Sequence, residues 1–185
     1  MNIFYDAEFT GLHQQTTLIS LALVDEDGRS LYAEFTDYDP GQCDEWVRQH
    51  VLAHTRWLSG NILPRLPVID DNGTLRQICG NRGFVTGQLE KWLKVYDRVT
   101  VWSDCYAWDW VLFCELFGGA MNIPQNIFYI PADLATLFHC QGLDPDTDRE
   151  AFARLDKNLP PRHNALKDAL VIRACHERLA RQQVR

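Results

Sequence analysis

Long hydrophobic runs are missing from this sequence, and so is any clustering of cysteine. The longest nearly apolar stretch, Leu18 to Val24, is too short to cross a bilayer, which takes about 20 apolar residues of helix. Asp6 and Glu8 interrupt the apolar start, so no secretory segment is expected there. The six cysteines (Cys43, Cys79, Cys105, Cys114, Cys140 and Cys175) contain no C-x-x-C pair. That argues against a structural zinc site and offers no disulfide framework. A cytoplasmic protein with reduced thiols and no membrane partner is the expectation. Positive charge is also scarce: 18 Lys and Arg face 25 Asp and Glu, for a formal net charge of −7. A protein that coats long duplexes would be expected to be basic. Were nucleic acid a partner, contact would be local, a few nucleotides at one end. No internal repeat or low-complexity tract is present. With 46% apolar and 23% charged residues over a length of 185, the composition is that of a globular protein with a substantial core. One domain over residues 1–185 is expected.

What is present is a pattern of acids. Ile3-Phe4-Tyr5 reads as a strand that runs into Asp6-Ala7-Glu8-Phe9-Thr10-Gly11-Leu12. Residues i and i+2 of a strand share a face, so Asp6 and Glu8 present two carboxylates side by side. Charges that close repel unless a cation lies between them, and oxygen ligands suit Mg²⁺ or Mn²⁺. Alone, the D-x-E pattern fits a solvated acidic strand equally well. Two later stretches add to it. A β-branched run ends at Ser103-Asp104, ahead of a helical pattern near Trp108 with Asp109 in its first turn. His163 and Asp168 fall near the start of a helix that continues through Ala174 and Leu179. On an ideal helix that pair would be roughly 140° apart. They share a site more easily if His163 precedes the regular turns.

In chain order, Thr17–Asp25 is a second strand, Glu26-Asp27-Gly28 a turn and Ser30–Thr36 a third strand, which together read as an antiparallel meander. Helices are predicted over 44–53, with Trp46, Val47 and Val51 on one apolar face, and over 85–96, with Leu89, Trp92 and Leu93 inward. Residues 57–83 read as a long connection with a small hairpin at Asn72-Gly73. Val99–Ser103 is a fourth strand and Ile127–Ile130 a fifth. A helix over 133–139 places Leu134, Leu137 and Phe138 inward. Residues 143–161, acidic and bounded by proline, read as a surface insertion.

Asp6-x-Glu8 with Thr10-Gly11-Leu12, then Ala107-Trp108-Asp109, then His163-x-x-x-x-Asp168, resembles the three motifs of the DEDDh 3′-5′ exonucleases, in their order and across almost the whole chain. Phe4-Tyr5-Asp6-x-Glu8-Phe9 and the Trp102–Asp109 segment look closest to a small stand-alone bacterial and phage exoribonuclease group. The resemblance implies an RNase H-like α/β fold, here a mixed five-stranded sheet of meander plus parallel strands flanked by helices. It implies two divalent ions, Mg²⁺ or Mn²⁺, held by Asp6, Glu8, Asp109 and Asp168, with Asp6 bridging both ions. Such ions, about 3.5–4 Å apart, clamp the attacking and leaving oxygens of a phosphodiester in line. His163 is implied as the general base. Phe9, Thr10 and Leu12 would border the 3′-terminal nucleotide, and the Trp108-Trp110 pair offers a stacking surface, although tryptophan on an amphipathic helix is more often core. Arg162 and Lys167 could meet phosphates or simply be solvated. Asp104 stands where relatives often carry asparagine or a small residue, and so adds a fifth acid. The expected substrate is the 3′ end of RNA, single-stranded or overhanging. A DNA-directed exonuclease of the same fold stays open, as does a catalytically silent binding module; a homodimer is neither required nor excluded.

Overall fold

A computed structural model describes residues 1–60, 67–155 and 162–183. Among these residues the strands form a single mixed sheet of seven, in the spatial order β4 (Val68–Asp71), β5 (Leu75–Gly80), β3 (Ser30–Phe35), β2 (Leu18–Asp25), β1 (Asn2–Phe9), β6 (Thr100–Ser103) and β7 (Ala132–Asp133). The first three strands are β1 (Asn2–Phe9), β2 (Leu18–Asp25) and β3 (Ser30–Phe35), joined as an antiparallel meander. β6 (Thr100–Ser103) lies parallel to β1. This much follows the expected pattern. Two corrections concern the edges. The 57–83 connection does contain a hairpin at Asn72-Gly73, but its arms are β4 (Val68–Asp71) and β5 (Leu75–Gly80), and β5 pairs parallel with β3 throughout. These strands extend the sheet on one side. At the other edge Ile127–Ile130 does not form a strand, since Ile127 makes one isolated bridge to Val99. The seventh strand is instead the short β7 (Ala132–Asp133), parallel to β6. Residues 61–66 and 156–161, within the predicted connection and insertion, lie outside the described residues.

The strand alternation divides the core in two. Tyr5, Leu21, Leu23, Leu31 and Ala33 face one side, against α2 (Arg82–Leu93) and α3 (Ala107–Leu116). Phe4 faces the opposite side with α4 (Leu134–Cys140) and α6 (Ala165–Gln183), while Ala22, Val24 and Tyr32 meet the first turns of α6. Burying a large apolar side chain contributes about 1.5–3 kcal/mol, so this two-sided pattern fixes the register: a slip of one residue would invert every strand. Asp6 and Glu8 have the parity of Phe4 and therefore belong to the α6 side. α6 is held there by Ala165, Ala169, Ile172, Cys175 and Leu179, all 2% exposed or less and spaced three or four apart, the stripe of an amphipathic helix. No helix among the described residues is long and apolar enough to cross a membrane.

Helix starts follow local capping chemistry. Asn81, Asp44 and Asp133 each accept a backbone N–H from the first turn of α2, α1 (Glu45–His50) and α4 respectively, which satisfies a donor the helix leaves unpaired. Cys43, Val47 and Val51 bury the inner face of α1 against Ile19. Trp46 differs from the predicted inward set. It is 49% exposed and points to the cleft described below.

Candidate active site

The four acids named from the sequence converge at the carboxyl end of β1. Asp6 and Glu8 project from the strand toward the first turn of α6, which supplies Asp168. One carboxylate oxygen of each lies within 4.8 Å of the other two. Asp109 approaches from the other layer. α3 begins just beyond β6, and Asp109 in its first turn is 7% exposed. Its Oδ2 accepts a hydrogen bond from Ser103 Oγ at 2.9 Å, and the Ala7 N–H also donates to this carboxylate.

Confinement makes all four resist ionisation. Burial, then the charge of Asp109, raises Asp6 well above the usual carboxylate range. Glu8 is pushed up to about 8 by burial and then by Asp168 and Asp109. Burial takes Asp109 to about 7, against the lowering by Ser103 and the Ala7 amide. A helix N-terminus favours a charged carboxylate, but here burial outweighs it. Asp168 rises to about 6 through burial, opposed by the Lys167 charge and a hydrogen bond from the His163 N–H. Such a cluster cannot carry four bare negative charges; a divalent cation removes the conflict, and an all-oxygen donor set suits Mg²⁺ or Mn²⁺. The residues present therefore fit the ions that the sequence pattern implies.

His163 sits ahead of α6, as sharing a site with Asp168 requires. Its φ is +60°, a left-handed conformation costing a non-glycine residue about 1–2 kcal/mol. Cys105, also lining the cleft, has φ +57°. Strain of this kind collects at functional sites when the surroundings hold it. The imidazole meets Trp46 edge-on, with ring centroids 4.8 Å apart. Burial, followed by the charges of His50 and Arg162, lowers its pKa, so the ring is neutral near pH 7 and able to accept a proton.

These groups open into a cleft of 620 Å³ that Phe9, Leu12, Trp46 and Trp108 also line. Phe9 and Trp108 face each other with centroids 6.3 Å apart and rings 31° from parallel; Leu12 is 75% exposed at the rim. Pairing between β1 and β2 shifts register between Glu8 and Phe9, an irregularity of the sort that re-aims side chains beside sites. Thr10 is placed differently from the expectation. Its hydroxyl is buried, donates to Gln42 Oε1 at 2.6 Å and accepts from the Thr17 N–H at 2.9 Å. Thr10 thus braces the loop and leaves the cleft to its neighbours. Trp110 likewise stacks on Phe113 at 5.4 Å, in the core layer, so only Trp108 of the pair reaches the cleft.

The nearby charges are paired. Asp104 receives both Nε and Nη2 of Arg149, at 2.8 and 3.0 Å, which offsets the extra acid. Arg149 begins α5 (Arg149–Ala153), so the predicted insertion is in part a short helix packed along α6. Arg162 pairs with Asp148 and Glu150, and Lys167 with Glu150. Neither cation is simply solvated. Trp46, Ser103, Arg149 and Glu150 were not singled out as site residues from the sequence. Of these, Ser103 alone had a usable signal, lying at the end of the strand that carries the second motif.

Comparison with known proteins gives a consistent result. Residues 1–179 match the model of the 3′-5′ exoribonuclease Rv2179c-like domain. The 3′-5′ exoribonuclease Rv2179c of Mycobacterium tuberculosis (strain ATCC 25618 / H37Rv) is 30% identical over 173 residues, covering 92% of this chain and 86% of that protein. The 3′-5′ exoribonuclease MT2234.1 of M. tuberculosis (strain CDC 1551 / Oshkosh) matches with the same identity and coverage.

Proposed function

The chain belongs to the Rv2179c-like 3′-5′ exoribonuclease domain family and is an exonuclease, and we propose that it hydrolyses RNA from the 3′ end to nucleoside 5′-monophosphates as a DEDDh-type, RNase H-like enzyme, one domain over residues 1–185. The observation that carries the mechanism is the convergence of Asp6, Glu8 and Asp168 within 4.8 Å, with Asp109 buried behind them. These four would hold two divalent ions, Mg²⁺ or Mn²⁺. Bound there, the ions supply charge neutralisation to the scissile phosphate and lower the pKa of water.

The chain's own side chains do the rest. His163, held neutral, accepts the proton of the attacking water as general base. Phe9 and Trp108 flank the terminal base from two sides, and Leu12 packs at its edge, so the last nucleotide is oriented without base-specific hydrogen bonds. Ser103 and the Ala7 N–H keep the Asp109 carboxylate aimed at the cluster. Asp104, paired with Arg149, is not a ligand. Discrimination of RNA from DNA would rest on contacts to the 2′-OH.

The test is digestion of matched, 5′-labelled RNA and DNA strands, single-stranded and with 3′ overhangs, with Mg²⁺ and with Mn²⁺. A descending ladder with faster loss of RNA supports the proposal. Cleavage of a circular strand would exclude the exonucleolytic mode, and DNA hydrolysis as fast as RNA hydrolysis would move the substrate to DNA.

A further inference from the structure

We propose that Glu150 is a positioning residue for the reaction, stapling the strained segment that carries His163 onto the first turn of α6; this rests on His163 being the base. Glu150 lies on α5, outside every motif that suggested the active site. Its Oε1 accepts from Arg162 Nε at 2.8 Å and from Lys167 Nζ at 2.9 Å. Arg162 directly precedes His163, and Lys167 directly precedes Asp168. A single carboxylate oxygen therefore joins the residue before the base to the helix that presents the last acid.

The surroundings show why such a tie is needed. His163 holds φ +60°, a conformation that persists in a non-glycine residue only when neighbours over-determine it. On one side Asn164 Nδ2 donates to His54 O at 3.1 Å, and the Glu34 carboxylate secures the chain beyond His54 by accepting the N–H groups of Trp57 and Leu58 at 2.9 and 3.0 Å. On the other side Glu150 takes hold through Arg162. Asp148 assists: its Oδ2 receives Arg162 Nη2 at 2.9 Å while its Oδ1 caps α5. The Arg162 side chain is 58% exposed, and exposed ion pairs add little to stability. The Lys167 side chain is only 10% exposed, which makes the Glu150–Lys167 end the fixed post and Arg162 the arm. The contribution is thus to geometry, where a displacement of about 1 Å at a reacting group can cost about 10²-fold in rate.

Steady-state turnover of a 5′-labelled short RNA by the Mn²⁺-loaded protein tests this in wild type, Glu150→Ala, Glu150→Gln, His163→Ala and Glu150→Ala/His163→Ala. Glu150→Ala should lower kcat about 10- to 100-fold, with KM and calorimetric Mn²⁺ affinity each held within about threefold. Glu150→Gln keeps the acceptor oxygen and should recover most of the loss. In the His163→Ala background, Glu150→Ala should change kcat less than about twofold, because residues acting as a unit are non-additive. The same loss in both backgrounds, or a rise in KM alone, overturns the proposal. Hydrogen exchange of residues 162–164 supplies a readout independent of turnover. It should quicken about tenfold or more in Glu150→Ala at unchanged Tm, and unchanged exchange overturns the proposal. If wild type itself leaves RNA intact, the proposed function fails, while hydrogen exchange still decides whether Glu150 holds the segment.

Discussion

Replacing Glu8 by glutamine should stabilise the metal-free protein and weaken its response to metal. Glu8 shares a space 4.8 Å across with Asp6 and Asp168. Its carboxyl is pushed up to about 8 by burial and by the charges of Asp168 and Asp109. An unfolded glutamate titrates near about 4.3. Below that pH both states hold the proton and Glu8 costs nothing. Between there and about pH 8 the unfolded state ionises while the folded state does not, so stability falls by about 1.4 kcal/mol per pH unit. At pH 7 the loss is about 3.6 kcal/mol. Two unit charges at that separation repel by roughly 3.5 kcal/mol at an effective dielectric of about 20, the same order. Urea unfolding in EDTA should find Glu8→Gln about as stable as wild type at pH 4 and about 3.6 kcal/mol more stable at pH 7. Excess Mn²⁺ should narrow that gap. At a hundredfold excess over Kd, wild type gains about 2.7 kcal/mol, and the variant, short of one charged ligand, gains less. A Glu8→Gln protein that is no more stable at pH 7 in chelator, or equally favoured at pH 4, would refute this electrostatic picture.

His163→Ala should lower turnover about 10²- to 10⁴-fold while calorimetric Mn²⁺ affinity stays nearly unchanged; turnover within a few-fold of wild type would mean the base is misassigned. Asp104→Asn should keep most activity, its pairing with Arg149 marking a supporting role, whereas Asp109→Asn should lose nearly all of it, provided near-UV circular dichroism shows both folded. The opposite pattern would exchange the two assignments. Glu34→Ala should destabilise the fold by about 3–5 kcal/mol in urea unfolding, because it strands the buried Tyr32 hydroxyl and the Arg56, Trp57 and Leu58 amides that this carboxylate accepts. A loss under about 1 kcal/mol would show the loop to be held by other contacts.

The parts of the fold that could be read from the residues are those governed by local period. The meander and the strand that became β6 rest on runs of β-branched and apolar residues, and α2 and α6 on apolar stripes, so their types emerged without tertiary information. β5 did not, because Leu75-Arg76-Gln77-Ile78-Cys79-Gly80 alternates poorly and becomes a strand only through pairing with β3. Ile127–Ile130 misled for the converse reason: this apolar, β-favouring run pairs only at Ile127, through one bridge to Val99, and the residues after it turn outward, Tyr129 being 69% exposed. Around the cleft, the strand spacing of Asp6 and Glu8 was enough to put them on one face. The turn of Trp46 toward His163, the burial of Thr10 and the reach of Glu150 across to Arg162 depend on contacts between elements distant in the chain. No single stretch of sequence encodes these.

The most direct measurement is calorimetric titration of Mn²⁺ into chelator-treated wild type and Asp6→Ala, with release of nucleoside 5′-monophosphate from a 3′-terminal RNA measured in the same samples. Wild type should show no release before metal is added, release that rises with Mn²⁺ occupancy, and binding that Asp6→Ala largely abolishes together with activity. Release that persists in excess EDTA, or Mn²⁺ bound as tightly by Asp6→Ala as by wild type, would contradict a carboxylate-held, metal-dependent exonuclease.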